Sequence, residues 1–206
     1  MAQIGFYFDA TRCVSCKTCE MACKDYHNLS TTVTFRNVFE YTAGTWKDNG
    51  DGTYTTDAFR YFTSVACNHC DVPACLAACP VDAISKDDDG VVLIDLEVCD
   101  GCKACIDACP YHAPSFDAGI GKAAKCDSCI SRRAAGKQPI CVEACLGRAI
   151  EFGDIEGLRA QYGTANSFAP LPDPSMTHPN LVVKPSVRAL HSGDTTGWVS
   201  NPREIM

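Results

Sequence analysis

The stretch CDGCKACIDACP, residues 99–110, carries four cysteines: Cys99, Cys102, Cys105 and Cys109. The first three recur at three-residue intervals. That spacing lets a tight loop bring three sulfurs to one point, with backbone N–H groups turned inward. Gly101 eases the loop by accepting dihedrals that other residues avoid. The last step is four residues, close to one helical turn. It carries Cys109 away from the loop, so the stretch reads as three ligands for one centre and one ligand for the next.

The same arrangement recurs on either side. Cys13, Cys16, Cys19 and Cys23 repeat the spacing, and Cys67, Cys70, Cys75 and Cys79 repeat it with one longer step and a trailing Pro80 that matches Pro110. Cys126, Cys129, Cys141 and Cys145 form a fourth group whose middle spacer, SCISRRAAGKQPIC (128–141), reads as a longer loop. These groups account for all sixteen cysteines of the 206-residue chain. The flanks repeat as well. FYFD (6–9) precedes Cys13 and VLID (92–95) precedes Cys99, each with Asp four residues before the cysteine. Groups two, three and four are each followed by Ala four residues after the last cysteine, then by a short apolar run. The repeating unit is strand, cysteine loop, short helix, turn, strand.

Disulfides, zinc and iron–sulfur clusters compete to explain so many cysteines. Disulfide frameworks belong mainly to short secreted chains, and cysteines this close in sequence rarely suit bridge geometry. Structural zinc sites take two short pairs rather than runs of three with a fourth behind. The third group resembles the C-x2-C-x2-C-x3-C-P run of bacterial ferredoxins, in which the fourth cysteine of two-cluster proteins ligates the other cluster. Only a hairpin separates groups two and three, so they are expected to trade last cysteines. One [4Fe–4S] cluster takes Cys67, Cys70, Cys75 and Cys109, and another takes Cys99, Cys102, Cys105 and Cys79. Groups one and four pair likewise: Cys13, Cys16 and Cys19 with Cys145, and Cys126, Cys129 and Cys141 with Cys23.

The fold class expected is α+β: tandem bacterial-ferredoxin-like modules, in pseudo-two-fold pairs of cysteine loops, short helices and β-hairpins. A four-cluster core spans 1–152, with residues 24–66 as an inserted antiparallel hairpin and 67–116 as an inner two-cluster module. In the insert VTFRNVFEY (33–41) alternates, DNGDG (48–52) turns and YTTDAFRYFTSVA (54–66) returns. Residues 153–206 give a short helix stopped by Gly163, one strand at LVVKP (181–185), and a proline-punctuated tail expected to be ordered by lying on a partner. Removing 164–206 is expected to abolish complex assembly and leave the clusters.

A formal charge of −7 argues against a nucleic-acid surface. No run approaches the roughly twenty apolar residues of a membrane span, and MAQIGFYFDATRC has no secretory h-region. Counter-charge near the cysteines is expected from Lys17, Lys24, Lys103, Lys122, Lys125, Arg132 and Arg148. His27, His69, His112, His178 and His191 form no metal-spaced pair. His69, inside CNHC, reads either as hydrogen-bonding near a cluster or, preferably, as partly exposed, Tyr111 and His112 as packing over the third group, and Phe35, Phe39, Tyr41 and Trp46 as hairpin packing. No Ser/His/Asp set or paired carboxylates stand out, so no catalytic residue is assigned.

GFYFDATRCVSCKTCEMACKDYHNL, FRNVFEYTAGTW, CNHCDVPACLAACPVDAI, CDGCKACIDACPYHAP, KCDSCISR, GKQPICVEAC and GDTTGWVSNPRE together cover most of the sequence. They resemble the iron–sulfur subunits of membrane-associated molybdopterin oxidoreductases, most closely the dimethyl sulfoxide reductase type. The resemblance implies a non-catalytic subunit with four [4Fe–4S] clusters. It would relay electrons between a quinol-oxidising membrane anchor and a molybdopterin-containing catalytic subunit in anaerobic respiration, on the periplasmic face. A twin-arginine signal on the catalytic partner would then serve for export. Leu146 stands where the family often has proline, which bears on packing around Cys145 rather than on its thiolate. The alternatives are the equivalent subunit of a formate dehydrogenase, polysulfide reductase or other terminal reductase, a freestanding polyferredoxin, and a zinc-stabilised module.

Overall fold

Residues 3–205 are described by a computed structural model. The FYFD run lies in β1 (Ile4–Asp9), followed by α1 (Thr18–Tyr26). The insert supplies β2 (Arg36–Ala43), β3 (Trp46–Asp48), β4 (Tyr54–Thr56) and β5 (Phe59–Ala66). Then come α2 (Ala74–Ala77), β6 (Ile84–Lys86), β7 (Val92–Ile94), α3 (Ala104–Ala108), β8 (Ser115–Asp117) and β9 (Lys122–Ala124). After them lie α4 (Ile130–Ala134), α5 (Ile140–Glu143), β10 (Ile150–Asp154), α6 (Ile155–Tyr162), β11 (Leu181–Lys184) and β12 (Trp198–Val199). The result is mixed helix and strand in small sheets, an α+β arrangement.

β1 is almost wholly apolar because both its edges and both its faces are covered. It pairs antiparallel with β10 (Phe6 opposite Phe152, Phe8 opposite Ile150) and parallel with β11 (Phe6 opposite Leu181, Phe8 opposite Val183). Phe6, Phe8, Ile150, Leu181 and Val183 point into the main core, where Cys19, Cys141 and Cys145 also lie. Tyr7 and Val182 point the other way, under α6, with Ile155 and Leu158; Tyr162 stacks on Tyr7 at 3.7 Å between ring centroids. Asp154 caps α6 by accepting the Gly157 N–H at 2.8 Å, and Gly163 ends the helix.

The insert is an antiparallel pair, β2 with β5, running from Arg36 opposite Ala66 to Ala43 opposite Phe59. DNGDG turns a smaller hairpin, β3 with β4, at its far end. Tyr41 is buried as expected, but Trp46 is 70% exposed. The hairpin between groups two and three turns at DDDG (87–90), which joins β6 to β7, and the run after the third cysteine group forms a further hairpin, β8 with β9. The spacer 128–141 is not a plain loop, since α4 sits within it.

The tail corrects the expectation that a partner would order it. β11 is a core strand, β12 adds an edge to β2, and Phe168, Ala169 and Leu171 are buried in the main core. Asn201 donates Nδ2 to Val38 O and accepts from Glu40 N, both at 2.8 Å. Prolines break helical and ladder periodicity without preventing burial, so periodicity alone understated this segment.

Candidate metal centres

The third cysteine of every group is the second residue of a helix: Cys19 in α1, Cys75 in α2, Cys105 in α3 and Cys141 in α5. The fourth cysteine comes four residues later: Cys23 still within α1, and Cys79, Cys109 and Cys145 at or just past the ends of α2, α3 and α5. α1 packs against α5, and α2 against α3. The last cysteine of each helix therefore crosses to the loop of its mate. Four sets of sulfurs result. Cys13, Cys16, Cys19 and Cys145 line one cavity (site 1), Cys67, Cys70, Cys75 and Cys109 a second (site 2), and Cys79, Cys99, Cys102 and Cys105 a third (site 3). Cys23, Cys126, Cys129 and Cys141 lie close enough to act on one another's ionisation (site 4). None of the sixteen is joined in a disulfide.

The loops share a backbone signature. In each C-x-x-C the residue before the second cysteine is left-handed: Ser15 (φ 56°), His69 (φ 44°), Gly101 (φ 77°) and Ser128 (φ 58°). Such a turn gathers successive N–H groups into a concave anion-binding face. Asp100 and Asp127 fix two of these loops by accepting the N–H of Cys102 at 3.1 Å and of Cys129 at 2.8 Å. At Gly101 glycine is required, because a Cβ would fall 2.2 Å from the Gly121 carbonyl oxygen.

The alanines four residues after the last cysteines have a physical reason. A left-handed residue at Asp82, His112 and Arg148 reverses the backbone. Ala83 then donates its N–H to Cys79 Sγ at 3.3 Å and Ala149 to Cys145 Sγ at 3.2 Å, with the Ala113 N–H bonded likewise to Cys109. The turn after Cys145 matches the others although Leu146 replaces proline, and Leu146 itself faces solvent.

Burial pushes the Cys13, Cys70 and Cys129 thiols up to about 11 and Cys23 and Cys75 to about 12, neighbouring thiols adding to the effect. Sulfurs held this way become thiolates only beside positive charge, which a bound metal supplies. The cations actually buried are Arg36 and Lys125. Lys125 donates to Cys126 O at 2.9 Å and to Val92 O, and lines site 2. Arg36 stands far from any cysteine in sequence, so proximity along the chain missed it. Its Nε and Nη2 find no hydrogen-bond partner among the described residues. Soft thiol donors in fours, inward N–H groups and buried unpaired donors fit a sulfide-containing cluster.

Three side-chain expectations need correction. His69 is not partly exposed: it is 1% exposed and joins two ligand loops. Its Nδ1 accepts the Val92 N–H at 3.0 Å, so Nε2 carries the proton towards Ser128 Oγ at 2.7 Å. Tyr111 lines site 2 rather than covering the third group, and His112 is exposed. His27, with no metal-spaced neighbour in sequence, meets Cys129 Sγ at 3.4 Å and Asp127 at 3.9 Å across the fold.

The tail also walls site 2, through Thr177. Asp71 and Val72 donate their N–H groups to His178 O (2.9 Å) and Thr177 O (3.1 Å), and Asn180 N–H donates to Asn68 O (3.1 Å). Removal of 164–206 would therefore open site 2, against the expectation that every cluster survives it.

No helix among the described residues is long and apolar enough to cross a membrane. A 4Fe-4S dicluster domain model matches residues 58–155, and a 4Fe-4S binding domain model matches residues 10–27. The sequence is 52% identical to a chain of the anaerobic dimethyl sulfoxide reductase of Haemophilus influenzae, over 100% of both proteins. It is 47% identical to the chain of the same name in Escherichia coli, over 98% of both. A subunit of the tetrathionate reductase of Salmonella typhimurium is 33% identical over 76% of this sequence and 60% of its own length.

Proposed function

We propose, from the premise that this protein belongs to the family of anaerobic dimethyl sulfoxide reductase iron–sulfur chains, that it relays single electrons through four [4Fe–4S] clusters between a quinol-oxidising membrane anchor and a molybdopterin-containing catalytic subunit. It is a non-catalytic electron-transfer subunit of a reductase complex. A bound [4Fe–4S] cluster supplies a one-electron couple. The sixteen cysteines would hold the clusters in the sets of sites 1, 2, 3 and 4.

The observation that carries this reading is the order of the sites. Sites 1 and 4 share α1 and α5, and sites 2 and 3 share α2 and α3. Cys126 of site 4 and Cys67 of site 2 lie in one buried cluster with Ala66 and Ala113. The row is therefore 1, 4, 2, 3. Site 4 is buried throughout, whereas each end carries one exposed cysteine, Cys16 or Cys102. A row with an insulated middle and two open ends suits relay between two partners. Residues 1–152 would form the core, in two helix-paired halves related by a pseudo-two-fold, with the 24–66 insert and the 67–116 inner module; residues 153–206 close it and offer an outer surface to partners. Association with the membrane would come through the anchor, on the periplasmic face.

A second reading, the same role in a different terminal reductase, is favoured by the tetrathionate reductase relative. The end-to-end match to the dimethyl sulfoxide reductase chains supports the first. Anaerobic purification of the intact complex tests the proposal. About sixteen irons and as many sulfides per copy of this protein are expected, with a catalytic partner that reduces dimethyl sulfoxide. Fewer than about fourteen irons, or abundant zinc, would sink the four-cluster claim.

A further inference from the structure

We propose that Arg36 is a shared counter-cation for the clusters of sites 1 and 4, donating Nε–H and Nη2–H to their sulfurs and raising both reduction potentials. The inference rests on the four-cluster reading. Arg36 opens β2 and is 2% exposed. Its Nη1 donates to Ser64 O at 3.3 Å and to Ser64 Oγ at 3.2 Å, and Ser64 Oγ lies 3.4 Å from Cys19 Sγ in site 1. The guanidinium sits over the Phe6 ring, 4.8 Å from its centroid, which fixes its plane against the core. The two remaining donor nitrogens, Nε and Nη2, are buried and unpartnered among the described residues.

A guanidinium in this position needs anionic acceptors. Burial without them is strongly unfavourable. Arg36 pairs across the strands with Ala66, which lies in one buried cluster with Cys126 of site 4, and its guanidinium covers Phe6, which shares the main core with Cys19 of site 1 and Cys141 of site 4, so one cation faces two neighbouring sites. Burial works against its charge, and the sulfurs of these cysteines more than offset that, holding the cation in place. A fixed positive charge favours whichever redox state carries more negative charge, here the reduced one, and N–H donors to sulfur act in the same sense. One residue thereby raises two adjacent potentials together and leaves the step between sites 1 and 4 unchanged.

The test is potentiometric EPR titration of the intact complex carrying Arg36→Gln or Arg36→Lys, with iron counted in each preparation. Gln keeps hydrogen-bonding capacity and removes the charge. Two of the four centres should become at least tenfold harder to reduce, about 59 mV for one electron, while the other two stay put. Lys keeps the charge and should restore at least half of that shift. Unmoved potentials in a Gln variant with all its iron, a shift at one centre only, or equal shifts for Gln and Lys would overturn the assignment. If Gln loses iron from two sites, Lys decides: retention of both clusters supports the counter-cation, and their loss refutes it. An iron count below four clusters in the unmutated complex would instead refute the four-cluster reading.

Discussion

Replacing Asn180 with alanine tests whether the tail straps the second ligand loop. Asn180 is fully buried, and its Nδ2 donates to His69 O at 2.8 Å and to Asp71 Oδ1 at 2.9 Å. A neutral hydrogen bond contributes about 1 kcal/mol net, and one to a carboxylate about 1.5–3 kcal/mol. The Asp71 side chain is 50% exposed and can turn to water, which favours the low end for that bond. Together the loss is about 2–4 kcal/mol of local stability, or roughly thirty- to eight-hundredfold in the opening equilibrium. Hydrogen exchange on the holo complex reads this directly. The Asp71 and Val72 amides, bonded to the 177–178 carbonyls, should exchange faster by that factor. Those of β6, β7 and α3, which Asn180 does not touch, should not change. Unaltered exchange over 68–72, or equal acceleration along the whole sequence, would refute the strap.

Three further outcomes are expected. Cys109→Ser should alter the EPR signal of the centre held by Cys67, Cys70 and Cys75; loss confined to the Cys99, Cys102 and Cys105 centre would contradict the exchange of ligands. Gly101→Ala puts a Cβ 2.2 Å from Gly121 O at φ +77°, for a strain of about 1–3 kcal/mol or more; site 3 should lose iron to a chelator first, and unchanged retention would show the loop to be compliant. Asp9 is a buried carboxylate whose pKa burial raises, but bonds from Thr11 and Lys184 outweigh that and hold it below the ordinary 3.8. Its stabilisation is complete above the ordinary value and fades as pH falls through the folded one. Asp9→Asn should therefore flatten the acid loss of β1–β11 amide protection below about pH 4, and an unchanged acid limb would count against the Asp9–Lys184 tie.

Local spacing made the cysteine loops, the helical step to each fourth cysteine and the hairpins legible. These features need only neighbours in sequence: a left-handed residue before the second cysteine, a turn of helix after the third, a turn residue at Gly90. The alanine repeat was visible too, although its reason, an N–H aimed at the preceding cysteine's sulfur, needed the fold. What stayed hidden depends on distant pairings. LVVKP reads as a strand, but nothing in it says that it lies parallel to β1. Arg36 and His69 reach their partners only when β2 meets β5 and when the second and fourth loops close on each other. Trp46 shows the converse, an aromatic in a hairpin pattern that stays mostly exposed.

The wall that Thr177 and Asn180 build around Cys67 and Cys70 also sets a clock on biogenesis. Cys67, Cys70 and Cys75 of the second site emerge from the ribosome more than a hundred residues before the segment that encloses them. Only site 3, complete once Cys105 is made, draws its ligands from one short contiguous stretch. The others wait for Cys109, Cys141 and Cys145, and the enclosure of site 2 waits longer still. Enclosure of site 2 is thereby coupled to translation past Asn180, and a product terminated before Thr177 would leave Cys67 and Cys70 without that wall.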